Sequence, residues 1–83
     1  MRITPAGRPL AARELSVLRG MARGLTNRDI GLELYVSEET VKTYARRLFR
    51  KLRAVDRANA VALGYERGLI PIGHADEALK AAG

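Results

Sequence analysis

An all-α fold of four short helices follows from three features of the sequence. Apolar residues recur at three- and four-residue spacing through most of the chain. Oxygen-bearing residues suited to helix starts, Thr26, Ser37 and Asp56, stand before three of these runs, and Gly24 and Gly68 follow two of them. The sole aromatics are Tyr35, Tyr44, Phe49 and Tyr65, so the interior must be filled by aliphatic side chains, as in a small helical bundle. The spacing predicts helices over about 11–23, 27–34, 38–53 and 57–67. They form one domain at 10–70, between an irregular arm at 1–9 and a short tail at 71–83.

In the arm, Pro5, Gly7 and Pro9 prevent regular structure. Arg2 and Arg8 either touch DNA from this arm or stay solvated. The first helix is expected to turn Leu15, Leu18 and Ala22 inward, with Val17 and Met21 beside them. Its start is weakly marked, since Ala11 has no capping oxygen, and its end is set by Gly24 in a left-handed position. Thr26 is the expected cap of the second helix, answered three residues on by Asp29. Ile30 and Leu34 point inward, and Gly31 costs roughly 1 kcal/mol against alanine. Close approach of another helix would account for that glycine.

Tyr35 and Val36 make the turn to the third helix, which Ser37 caps and whose first turn holds Glu38 and Glu39. Advancing about 100° per residue from Val41 places Ala45, Leu48 and Leu52 on the same side, flanked by Tyr44 and Phe49. Lys42, Arg46, Arg50 and Arg53 fall opposite, with Thr43 and Arg47 beyond them. Two helices joined by a short turn, the second basic on its outer face, have the plan of a helix-turn-helix. Glu39 shares that outer face, where a carboxylate either accepts from a cytosine amine or merely favours the helix start. The fourth helix begins at Asp56. Ala60, Val61, Gly64 and Tyr65 share one side; Asn59, Ala62, Leu63 and Glu66 share the other, with Ala62 and Leu63 as a small exposed apolar strip fit for a dimer seam. Leu69 and Ile70 are expected to fold back on the core before Pro71 ends the run, and Ala75–Ala82 can form another short helix.

Composition narrows the function classes. Fifteen Lys and Arg against nine Asp and Glu give a net charge of +6, which favours a polyanionic partner. The chain has no cysteine, so thiol nucleophiles, disulfides and thiolate metal sites are excluded. Its one histidine, His74, lies in the tail without a nucleophile or ligand cluster around it. No enzyme activity, cofactor, metal or small-molecule ligand is expected. No apolar run reaches the roughly 18 residues of a membrane span, and the N-terminus lacks the apolar stretch of a secretory signal. A cytoplasmic protein without membrane attachment is the expectation.

Residues 10–70 resemble the LuxR-type (GerE-like) helix-turn-helix domain of bacterial transcriptional regulators. The resemblance runs through L-A-A-R-E-L-S-V-L, G-L-T-N-R-D-I-G, L-Y-V-S-E-E-T-V-K-T-Y, R-K-L at 50–52, D-R-A-N-A-V and G-L-I, in the family's order and spacing. It implies that the second and third helices form the DNA-reading pair and that the fourth commonly makes the dimer contact, for which the phase of that helix offers Asn59, Ala62, Leu63 and Glu66. It implies base contacts from Lys42, Thr43 and Arg46, and phosphate contacts from Thr26, Asn27, Thr40, Arg47 and Arg57; Arg50, further along the outer face, is a further phosphate candidate. Partners implied are double-stranded DNA, a second copy of the chain, and RNA polymerase. The chain departs from the family pattern at Ala11-Ala12, where Thr-Pro is usual, at Ser16, often Glu, at Gly31, often Ala, and at Tyr44, often His. These departures imply a somewhat less stable domain. Only nine residues precede the matching region, which reads as a single-domain member without a built-in sensor. A second reading stays open: a protein-interaction module that binds another regulator or RNA polymerase, as an antagonist or in the manner of sigma-factor region four.

Overall fold

Four helices, α1 (Ala12–Ala22), α2 (Asn27–Leu34), α3 (Glu38–Leu52) and α4 (Arg57–Glu66), make up the computed structural model, which describes residues 9–71. There is no strand among the described residues. Each end lies within one residue of the position that the sequence predicts. The arm and tail, with Arg2, Arg8, His74 and Ala75–Ala82, fall outside the described residues apart from Pro9 and Pro71.

The caps act as their side chains dictate. The Thr26 hydroxyl accepts from the Asp29 N–H at 3.1 Å, and the Asp29 carboxylate accepts from the Thr26 N–H at 3.3 Å. Ser37 Oγ accepts from the Thr40 N–H at 3.0 Å, and Asp56 accepts from the Asn59 N–H at 2.8 Å. Each satisfies a donor that the first turn leaves without a partner in the helix. At the other ends, Gly24 and Gly68 have φ of +81° and +75°, which costs a residue without a Cβ nothing. Tyr35 and Arg53 take the same left-handed conformation, each at φ 59°, with a Cβ in place.

α1 packs most extensively against α3 and also touches α2 and α4. The core consists of Val17, Leu18 and Met21 from α1, Ile30 from α2, Val41, Ala45, Leu48 and Leu52 from α3, Ala60 from α4, and Ile70, which folds back as expected. Two expectations change. The buried line of α1 is Glu14, Val17, Leu18 and Met21, whereas Leu15 and Ala22 are only half-buried. The inner face is therefore rotated toward a charged residue. Gly31 does not face another helix: a Cβ there would lie 2.7 Å from the Val36 carbonyl oxygen, in the backbone of the turn itself. The same turn donates the Val36 N–H to the Gly31 carbonyl at 3.0 Å. Gly31 thus suits this tight turn and is not a defect of α2.

Among the described residues Glu14 is the one buried charged residue, 3% exposed. Its carboxylate accepts from Lys51 Nζ at 2.8 Å, across from α3, and from the Ala11 N–H at 2.9 Å. The second bond supplies a partner for the start of α1, where no capping side chain exists. Burial pushes the Glu14 carboxyl up. The Lys51 hydrogen bond, the Ala11 N–H and the charges of Lys51 and Arg47 together outweigh burial and hold it below its ordinary 4.5. Since the folded carboxyl ionises more readily than the unfolded one, its stabilisation is present above the ordinary glutamate range and is lost as pH falls through the depressed value. Glu14→Gln keeps the shape and removes the charge. It is expected to lower stability at pH 7 by about 1–2 kcal/mol, because Lys51 is partly solvated and a fully buried pair would cost more. In urea titrations, the advantage of the natural chain over the variant shrinks as pH drops through and below 4.5.

Candidate nucleic-acid interface

The interface is built on α2, its turn and α3. α3 forms because apolar residues recur along one side, and Val41 and Leu48 are fully buried there. The opposite side then has to face solvent. Lys42, Arg46, Arg47 and Arg50 are exposed and Thr43 is half-buried, on the face that the helical phase assigns them. Thr43 Oγ1 donates to the Glu39 carbonyl at 3.3 Å, and Arg46 Nη2 donates to Thr43 Oγ1 at 3.2 Å. Lys42 Nζ lies 3.9 Å from Glu39 Oε1. The three side chains implied for base contact therefore form one connected patch on the N-terminal two-thirds of α3.

The residues implied for phosphate contact fall into three groups. Thr26 and Asn27 start α2. Thr26 is exposed, with its hydroxyl engaged by Asp29, while the Asn27 amide oxygen is buried without a hydrogen-bond partner. Thr40 is half-buried, and its hydroxyl shares a hydrogen bond with Ser37 Oγ at 2.9 Å. Arg47 and Arg50 are exposed, and Arg47 also bears electrostatically on Glu14. Arg57 is engaged: its guanidinium donates through Nη2 to the Leu25 carbonyl and ties the start of α4 to the start of α2. It is a cross-brace next to the Thr26 cap, which leaves only its remaining donors for an anion.

The strip implied for dimer contact is narrower than its helical phase suggests. Leu63 is half-buried and packs against the core, so it is not an exposed apolar residue. The Asn59 side chain accepts from the Val55 N–H at 3.0 Å and so holds the loop before α4. Ala62 and Glu66 are exposed. Sequence reasoning missed the Glu14–Lys51 contact, the Arg57 brace and three exposed large hydrophobics, Leu32, Tyr35 and Val55. The Arg57 brace had a weak signal in the basic residue directly after the Asp56 cap. The Glu14–Lys51 pair had none within its own helix.

Among the described residues no group of three or more His, Cys, Asp or Glu side chains comes together to hold a metal ion. No described helix is long and apolar enough to cross a membrane.

The family pattern of bacterial regulatory proteins of the luxR family (GerE) matches residues 8–63. The chain is 47% identical over 62 residues to YxjL of Bacillus subtilis, an uncharacterized transcriptional regulatory protein, covering 75% of this chain and 28% of YxjL. It is 44% identical over 69 residues to NarL of Mycobacterium tuberculosis (strain ATCC 25618 / H37Rv), a probable transcriptional regulatory protein, covering 83% of this chain and 32% of NarL. Among solved structures it superposes on ChrA, a response regulator of a heme-sensing two-component system, with a TM-score of 0.72 at 35% identity, covering 76% of this chain and 31% of ChrA. The chain thus spans less than a third of the length of these relatives. The four helices, their order and their cap residues agree with the helix-turn-helix resemblance carried by the motifs, and the chain belongs to the luxR family of bacterial regulatory proteins.

Proposed function

We propose that this chain is a sequence-specific DNA-binding transcriptional regulator, with α3 lying in the major groove of double-stranded DNA. The observation that carries the reading is the polarity of α3. Its inner stripe is buried, and Lys42, Thr43 and Arg46 stand on the opposite face in one patch. Side chains of these types match major-groove edges: an arginine or lysine donates to guanine O6 and N7, and a threonine offers a hydroxyl or a methyl group. Thr26, Asn27, Thr40, Arg47, Arg50 and Arg57 flank this patch and are proposed to hold phosphates, which fixes register without reading sequence. The net charge of +6 supports a large salt-dependent share of the affinity. The protein is proposed to act in the cytoplasm as a dimer through α4, with Ala62 and Glu66 at the seam and Asn59 and Leu63 at its edge. Such a dimer requires two half-sites related by matching symmetry.

A second reading has its own support. Leu32 is 68% and Tyr35 94% exposed, three residues apart at the end of α2. Apolar surface of this kind suits a protein partner, another regulator or RNA polymerase, beside the DNA-reading face.

Selection of bound sites from random duplex DNA tests the main reading, and a single enriched half-site is expected. Lys42→Ala and Arg46→Ala are each expected to weaken binding to that site by roughly 5- to 100-fold, with thermal unfolding unchanged. Unchanged affinity in both variants would overturn the assignment. Arg50→Ala should lower affinity evenly across sequences, reduce the salt slope by about 1 and leave Tm unchanged. Arg57→Ala, which also loses the brace to Leu25, should lower Tm as well, in a calorimetric scan of the free protein.

A further inference from the structure

A carboxylate stands in the middle of the cationic face. Glu39, Lys42, Thr43 and Arg46 recur at i, i+3, i+4 and i+7, so they form one column along α3. The column is tied together by Lys42 Nζ at 3.9 Å from Glu39 Oε1, by Thr43 Oγ1 donating to the Glu39 carbonyl at 3.3 Å and by Arg46 donating to Thr43 at 3.2 Å. The Glu39 side chain is 81% exposed.

Local structure gives this carboxylate little to do. The cap of α3 is Ser37, and the position that would answer it in a capping box is Thr40. Glu39 shares the first turn with Glu38, so its favourable interaction with the positive end of the helix duplicates one already present. An exposed ion pair at the distance seen for Lys42 contributes little to stability. Against DNA, moreover, a carboxylate is repelled by every phosphate it approaches.

That cost is offset where the carboxylate meets a hydrogen-bond donor. Cytosine N4 and adenine N6 are the donors of the major groove, and adenine N6 lies beside N7, an acceptor that repels a carboxylate. The cytosine of a C·G pair presents N4 next to the guanine O6 acceptor. An adjacent carboxylate and ammonium match that edge in charge and in donor sense. We infer that Glu39 is a specificity-determining residue that requires a cytosine in the half-site, beside the guanine taken by Lys42. The inference rests on the DNA-reading role proposed for α3. In the free protein Glu39 faces Lys42. On the preferred site, Lys42 turns to guanine and Glu39 to cytosine N4. On a site with thymine or guanine at that position, the base offers the carboxylate an acceptor and no donor, and the complex is rejected.

The test is selection of bound duplexes from a random pool with the full chain and with Glu39→Ala and Glu39→Gln. The natural chain is expected to fix one cytosine. Glu39→Ala keeps the rest of the motif, loses the preference at that position and binds unrelated DNA at least as tightly. Glu39→Gln shifts the position toward adenine, because an amide pairs with adenine N6 and N7 together. In a duplex whose cytosine carries hydrogen in place of the N4 amino group, the natural chain loses roughly tenfold in affinity and Glu39→Ala loses none. A motif whose cytosine survives Glu39→Ala overturns the inference and leaves the DNA-reading role intact. A natural chain that enriches no motif overturns both.

Discussion

A helix that shows cations to solvent along one face has to be held entirely from the other. In this domain that constraint is met by the contact of α3 with α1. Val41, Leu48 and Leu52 are almost fully removed from water, each worth about 1.5–3 kcal/mol of burial, and Ala45 keeps the helices close between them. Lys51, on the flank of α3, reaches Glu14, so one lysine of the helix serves as an anchor. The Glu14 carboxylate also takes the Ala11 N–H, and a single buried charge thereby starts α1 and fixes α3 against it.

The second helix and the fourth depend on that arrangement. α2 is too short to persist alone. It is kept in place by Ile30 in the core, by its reciprocal cap, by Arg13, which donates to the Leu34 carbonyl at its end, and by the Arg23–Glu33 pair. Arg57 connects the start of α4 to the Leu25 carbonyl just before the Thr26 cap. The starts of α2 and α4 are therefore held side by side by a side chain that is itself cationic. The result is a frame around one column, Glu39, Lys42, Thr43 and Arg46, in which a single carboxylate precedes two cations.

Much of this frame is legible in the sequence because its determinants are local. Thr26, Ser37 and Asp56 mark helix starts through contacts three residues on, and Gly24 and Gly68 mark ends through their backbone conformation. The inner stripe of α3 follows from spacing alone, and so does the outward face that carries the proposed base contacts. What the spacing does not reveal depends on partners far along the chain. Glu14 reads as a surface charge until Lys51, on another helix, is beside it, and this is why the inner face of α1 is rotated from the position that Leu15 and Ala22 suggest. Leu63 lies on the outer phase of α4 yet is half-buried and packs on the core. Gly31 is explained by the backbone of its own turn, which helical phase cannot describe.

The outer face of α3 is proposed to meet base edges in the major groove. Methylation interference measures this directly, because dimethyl sulfate places a methyl group on guanine N7, in the major groove. With a selected duplex, methylation of a few guanines within each half-site is expected to block binding of the chain, at positions on one face of the helix. Full binding to duplexes methylated at every guanine of the site would contradict the account.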